Sequence, residues 1–99
     1  MATSCEFIVD GNCVFITNLF VPVELRGRGF ALKALQDIAM HAYRLKIPYM
    51  TVDDMSDYYR QDNNIYKKAG FLYVDEQSGC EMVARTSTVS RNIKKLFNN

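Results

Sequence analysis

One segment constrains the fold of this chain more than any other: an apolar strand that runs through a glycine-containing turn into a helix and then a second strand. Residues 13–21 are rich in β-branched and aromatic side chains, which predicts a strand, and Pro22 ends it because proline has no amide hydrogen. From Gly29 to about Lys46, apolar residues recur every three or four positions, as in a helix. Residues 47–52 predict another strand. Short links between these elements predict a right-handed crossover between parallel strands.

The helix in this segment is predicted to be amphipathic. Its apolar face consists of Ala31, Ala34, Leu35, Ile38, Ala39 and Ala42. Its polar face consists of Lys33, Asp37, His41 and Arg44. His41 lies away from the glycine turn, so we expect no catalytic role for it.

The flanking segments predict four further elements. These are a strand at 5–9 with a turn at 10–12, a short helix at 63–69 capped by Gly70, a hairpin of 71–74 with 80–85, and a helix at 87–97 with Thr88 or Ser90 as N-cap. We therefore expect an α+β (mixed α/β) fold in a single domain over residues 1–99. It should have a central mixed β-sheet, a βαβ crossover and flanking helices.

Composition narrows the class of protein. The chain has 99 residues, 48% of them hydrophobic, and a net charge of +1, which fits one ordinary globular domain and argues against a nucleic-acid binder. No apolar run approaches the roughly 18–20 residues of a membrane helix, and no secretory signal is visible. The three cysteines form neither a disulfide framework nor a CxxC metal site. We expect a cytoplasmic protein without a metal.

The turn between the first strand of this segment and its helix has the chemistry of an anion site. Such a turn can aim several backbone N–H groups at one point, where the helix start adds partial positive charge, so a phosphate or pyrophosphate is the natural guest. Gly27 and Gly29 remove Cβ atoms, and Arg26 and Arg28 can pair with phosphate oxygens. On spacing alone, a glycine-rich connection with two solvated arginines explains the same residues. The P-loop and dinucleotide-binding patterns do not match here.

Two motifs resemble those of one enzyme family. Residues 26–31, RGRGFA, fit (Q/R)-x-x-G-x-(G/A), the acetyl-CoA pyrophosphate signature of the GNAT superfamily of N-acetyltransferases. Residues 66–71, YKKAGF, resemble the family's Y-x-K-x-G-F segment. The resemblance covers roughly residues 5–83 and is that of a short member lacking the usual N-terminal helices.

The resemblance implies a role for each part of the site. Backbone groups of Leu19, Phe20 and Val21 would pair with the pantetheine arm and hold the acetyl carbonyl. The pyrophosphate would be bound by Arg26, Gly27, Arg28, Gly29, Phe30 and Ala31. Tyr66 would protonate the departing thiolate, although a half-buried aromatic on a short helix is the alternative interpretation of this residue.

The chain departs from the family pattern on the acceptor side. Typical members carry an additional N-terminal strand and two helices that shape the acceptor pocket. Here that side would be open, built by a homodimer partner, or completed by the C-terminal helix. An asparagine usual in the family falls on Tyr59, with Asn63 and Asn64 later in the chain.

No general base stands where some relatives have one, because the family's glutamate position falls on Phe15. Deprotonating a lysine side chain at pH 7 costs about 4.6 kcal/mol, against about 1 kcal/mol for an α-amine. The site therefore favours weakly basic amines, or uses water held by Asp53, Asp54 or Glu24. The acidic stretch Asp53, Asp54, Asp57 and Asp62 could attract a cationic amine, or could be a solvated loop.

The sequence thus favours an acetyl-CoA-dependent N-acetyltransferase that acts on a primary amine of a small molecule or protein. The alternative is a catalytically silent GNAT-fold module that binds CoA or another protein. A nucleic-acid binder using Arg26, Arg28 and Lys33 is the weakest hypothesis.

Overall fold

The computed structural model describes residues 4–97. Strands and helices follow one another in the predicted order, with small shifts at their ends. The elements are β1 (Ser4–Asp10), β2 (Cys13–Phe20), a 3₁₀ turn (Val23–Leu25), α1 (Phe30–Arg44), β3 (Tyr49–Asp53), α2 (Ile65–Ala69), β4 (Leu72–Tyr73), β5 (Glu81–Arg85) and α3 (Thr86–Phe97).

The strands form one five-stranded sheet in the order β1-β2-β3-β5-β4. β2 and β3 are parallel and are connected through α1, while the other neighbours are antiparallel. The predicted mixed α/β fold with a βαβ crossover is confirmed.

The helices bury one face of this sheet. Val14 and Met50 from the sheet pack with Leu35 of α1 and Ile93 of α3 in a core of side chains that are almost fully buried. Along the other face, the register aligns Ile8 of β1 with Phe15 of β2. These side chains are 57% and 37% exposed, so residues 4–97 leave that face largely open.

α3 lies antiparallel to α1. At its start, the Thr86 amide donates to the Pro48 carbonyl at 2.8 Å and the Thr86 hydroxyl donates to the Ile47 carbonyl at 2.7 Å. At its end, the Phe97 ring lies against Gly29, just before α1. The prediction of an N-cap at Thr88 or Ser90 is wrong, because the bonds of Thr86 let the helix begin directly after β5.

The C-terminus of α1 contains a strained residue. Lys46 has φ +60°, and the Ile47 amide reaches back to the Ala42 carbonyl at 2.9 Å, as in a Schellman ending. Glycine usually occupies this left-handed position because it has no Cβ to clash with the backbone.

We therefore expect Lys46→Gly to stabilise the protein by about 1 kcal/mol, since it removes the strain without removing a backbone hydrogen bond. Urea unfolding followed by circular dichroism measures the change. Lys46→Ala is the matched control and should give no such gain. A Gly variant no more stable than the Ala variant would contradict the strain argument.

Candidate functional site

β2 and β3 separate at one end of the sheet. Their parallel ladder runs from Cys13 opposite Tyr49 to Ile16 opposite Val52 and ends there. β2 nevertheless continues to Phe20, where it is still paired with β1. The edge of β2 that faces β3 therefore has no strand partner beyond Ile16, and Leu19 and Phe20 border the opening.

A β-bulge lies where the strands separate. Glu6 pairs with Asn18 and Phe7 pairs with Ile16, so Thr17 is an extra residue on β2. A bulge increases the local twist and bends the strand that carries it. The bulge thus coincides with the point beyond which β2 pairs with β1 alone.

The predicted anion-binding turn follows β2 directly. Gly27 and Gly29 have φ values of +80° and +84°, a region in which other residues are strained, and α1 begins at Phe30. The first helical hydrogen bond runs from the Lys33 amide to the Gly29 carbonyl at 3.0 Å. Within the described part of the chain, the amides of residues 27–32 donate to no protein acceptor. Free amides at a helix start form an anion-binding site.

Arg26 braces this turn. Its amide donates to the Val23 carbonyl at 3.2 Å, and its side-chain Nε donates to the Val21 carbonyl at 3.0 Å. The backbone donors left for an anion are therefore those that follow Arg26. Arg28 is exposed beside them.

Tyr66 lies in the first turn of α2 and is only 7% exposed. Its ring packs edge-on against Phe71, with ring centroids 5.9 Å apart. Burial, followed by the electrostatic effects of Asp54 and Cys5, raises the pKa of Tyr66 to about 12. Within residues 4–97 its hydroxyl hydrogen bonds to no protein atom. A buried hydroxyl without a protein partner points to a ligand or water beside it.

Asn64 sets the position of α2. Its side-chain oxygen accepts hydrogen bonds from the amides of Tyr66 at 2.8 Å and Lys67 at 3.3 Å, so it is the N-cap of the helix. Its side-chain nitrogen donates to Asp54 Oδ2 at 2.7 Å and to the Tyr58 carbonyl at 3.0 Å. Sequence reasoning missed this role, although its signal was present: an asparagine two residues before the motif tyrosine.

Asp54 is the buried centre of this network and is 2% exposed. Burial by itself would raise the pKa of Asp54. Hydrogen bonds from Ser56, Tyr73 and Asn64 outweigh that effect and hold the pKa below its usual value. Because its oxygens are occupied and its pKa is low, Asp54 is a poor general base. The acidic stretch is thus not one cluster: Asp53, Asp57 and Asp62 are exposed while Asp54 points inward.

Arg60 ties the segment after β3 to the loop between β4 and β5. Its guanidinium donates to the carbonyls of Asp75 at 2.7 Å and Glu76 at 2.8 Å. The same group lies 4.3 Å from the ring centroid of Tyr73, a cation–π contact. These contacts hold the loop between β4 and β5, which has no regular secondary structure, against the segment that follows β3.

Residues 4–97 contain no cluster of side chains suited to a metal ion and no helix long and apolar enough to cross a membrane. The three cysteines are free. His41 is exposed, with its ring centroid 5.5 Å from that of Phe7.

Comparison with known proteins identifies the fold. The sequence matches no protein-family model, and no curated protein matches it significantly. The structure resembles a GNAT-family acetyltransferase from Staphylococcus aureus Mu50, with a TM-score of 0.71, 14% identity, and coverage of 87% of this chain and 60% of that chain. It also resembles a protein from Agrobacterium tumefaciens that is named as an acetyltransferase, with a TM-score of 0.71 and 23% identity. That match covers 85% of this chain and 64% of the other. A third similar structure is AtaTR bound with acetyl-CoA, with a TM-score of 0.55 and 17% identity. That match covers 86% of this chain and 48% of the other.

The chain therefore has the fold of the GNAT acetyltransferases, as the two sequence motifs implied. It spans about 60% of the length of the first of these structures.

The buried carboxylate predicts a pH dependence of stability. Because the pKa of Asp54 is lower in the folded than in the unfolded chain, its contribution is complete above about pH 4 and is lost as the pH falls through the folded pKa. We expect Asp54→Asn to lower the free energy of unfolding at pH 7 by about 2 kcal/mol, because it disturbs the four hydrogen bonds that the carboxylate accepts from Ser56, Asn64 and Tyr73. The loss should be smaller at pH 3.

Urea unfolding at both pH values measures this difference. Asp57→Asn, which changes an exposed carboxylate in the same segment, is the matched control and should stay close to wild type at both. Equal stabilities of the Asp54 variant and wild type at pH 7 would contradict the prediction.

Proposed function

We propose that this protein is an acetyl-CoA-dependent N-acetyltransferase that transfers the acetyl group directly to a primary amine. The observation that carries the proposal is the row of free amides at residues 27–32, at the end of a strand that has left its neighbour. A pyrophosphate needs such donors, and an extended pantetheine arm needs an unpaired strand edge. AtaTR, a structure of the same fold, contains acetyl-CoA.

In this proposal the acetyl donor and the acceptor amine bind on different sides of the opening. The donor would lie along β2, with its acetyl carbonyl near Leu19, Phe20 and Val21 and its pyrophosphate on the turn from Gly27 to Ala31. Backbone donors in the opening would polarise the carbonyl and stabilise the charge that develops on its oxygen. The amine would attack from the side of the open sheet.

Tyr66 would act at the sulfur. With a pKa of about 12 it stays neutral at physiological pH and is a hydrogen-bond donor. Full transfer of its proton would leave a buried phenolate near Asp54. We therefore propose that the phenol donates to the departing sulfur while it accepts the proton that the attacking nitrogen loses. Nitrogen then loses one proton, sulfur gains one, and the tyrosine ends neutral.

The site is best suited to an acceptor amine that is neutral when it binds. Asp54 is unsuited to deprotonation chemistry, and Glu24 and Asp53 are exposed side chains. An α-amine is neutral at pH 7 at a cost of about 1 kcal/mol, against about 4.6 kcal/mol for a lysine side chain. We propose a weakly basic primary amine on a small molecule or a chain terminus.

Calorimetry with CoA and turnover of acetyl-CoA with a panel of amines test the proposal together. Binding of CoA with formation of an acetylated amine, detected by mass spectrometry, supports it. Binding without turnover would favour a catalytically silent CoA-binding module. The absence of CoA binding would overturn both functions and leave an interaction module built on this fold.

Tyr66→Phe should lower kcat by about 10²-fold, because it removes the group that moves a proton at the sulfur. The fold should be unaffected, since the hydroxyl bonds to no atom of the described protein. Tyr43→Phe is the control: Tyr43 lies in the last turn of α1 and is 68% exposed, so this variant should keep the wild-type rate. An unchanged kcat in the Tyr66 variant would remove this residue from the mechanism.

A further inference from the structure

We propose that the open face of the sheet, which the helices leave uncovered, is the docking surface for a basic amphipathic helix of another protein. The inference does not depend on the proposed function. Side chains alternate between the two faces of a strand, so the residues that pack into the core identify the open face. The core side chains on three of the strands are Phe7, Met50, Val52, Met82 and Ala84. Their neighbours along each strand therefore point to the open face.

An apolar row crosses this face from one edge of the sheet to the other. Its members are aligned by the strand register: Ile8, Phe15, Thr51, Val83 and Leu72. Four of the five are apolar, and Ile8 and Leu72 at the ends are 57% and 73% exposed. A contiguous apolar strip of this kind marks an interaction surface. Strands lie about 4.8 Å apart, so the row is about 19 Å long, the length of roughly 13 helical residues.

Five charged side chains border the row, and four of them are carboxylates. They are Glu6 and Asp10 of β1, Asp53 of β3, and Glu81 and Arg85 of β5. The face therefore has a net charge of −3, four negative charges against one positive, although the whole chain carries +1. Within residues 4–97 none of the five forms an ion pair. An apolar row beside carboxylates that lack a counter-charge fits a basic partner.

The arrangement of these charges distinguishes a basic partner from a second copy of the chain. Asp53 and Glu81 lie directly opposite each other in the register of β3 and β5, where like charges repel. A second copy would bring another face of net charge −3 against them and add to the repulsion. A helix with lysine or arginine along the flank that faces these two residues would relieve it. Because the amine of the proposed reaction approaches from the same side, such a partner would also limit access to the opening.

The test uses the full chain and three fluorescent synthetic peptides of about 18 residues, long enough to form a helix. The first is a leucine–lysine peptide with the period of an amphipathic helix. The second has the same composition in an order without that period, and the third is a leucine–glutamate helix. Fluorescence anisotropy measures the three affinities. We expect the first peptide to bind at least tenfold more tightly than the other two, and more weakly as salt is added.

Two double variants locate the binding on the protein. Asp53→Asn with Glu81→Gln should weaken the leucine–lysine helix at least fivefold. Asp57→Asn with Glu76→Gln removes the same charge from exposed residues outside the sheet and should leave the affinity within twofold of wild type. The first double variant also removes a repulsion, so it should unfold at no lower urea concentration than wild type. Phe15→Thr should weaken the leucine–lysine helix and leave the peptide without the helical period unaffected.

Three results would overturn the inference. Equal binding of the two leucine–lysine peptides would mean that the face attracts cations without recognising an apolar helix. Equal effects of the two double variants would assign the binding to the charge of the whole chain. In sedimentation of the protein alone, a dimer that Phe15→Thr dissociates would assign the face to a second copy. None of these measurements involves CoA, so the proposed function is tested separately.

Discussion

The separation of β2 from β3 is the constraint on which the rest of the structure depends. β2 stays with β1 as far as Phe20, while β3 stays with β5 as far as Asp53. Each half of the sheet keeps a full ladder on its outer side, so only the hydrogen bonds between the halves are given up. α1 follows β2 and α2 follows β3. The free amides near Gly27 therefore follow one of the two separating strands, and the buried side chain of Tyr66 follows the other along the chain.

The position of α2 depends on contacts outside the helix, because α2 follows an irregular segment. A helix of five residues is too short to be stable on its own. The Asn64 cap joins its first turn to Asp54, which directly follows β3, and Arg60 ties the same segment to the loop before β5. Burying a carboxylate is unfavourable unless it is fully hydrogen bonded, and Asp54 meets that condition. The network therefore fixes the backbone of Tyr66 relative to the end of β3.

Sequence reasoning succeeded where the signal is local and failed where partners are distant. The period of α1, the glycine turn and the Gly70 cap depend on neighbouring residues, and the structure has all three. The acidic stretch contained no sign that Asp54 would be buried and its neighbours exposed. That distinction depends on Tyr73, which lies far along the chain. The start of α3 was misplaced because its stabilising partner is a carbonyl before β3.

The sequence by itself determined the strands, the helices and the glycine turn, and with them the parallel βαβ crossover in which the turn follows β2. Backbone preference and side-chain period are properties of a short stretch of chain, so they can be read without the fold. Only the tertiary structure decided that β5 lies between β3 and β4, and that α3 runs back along α1 until Phe97 contacts Gly29. Those contacts depend on how apolar faces pack in three dimensions, which residues adjacent in sequence do not encode.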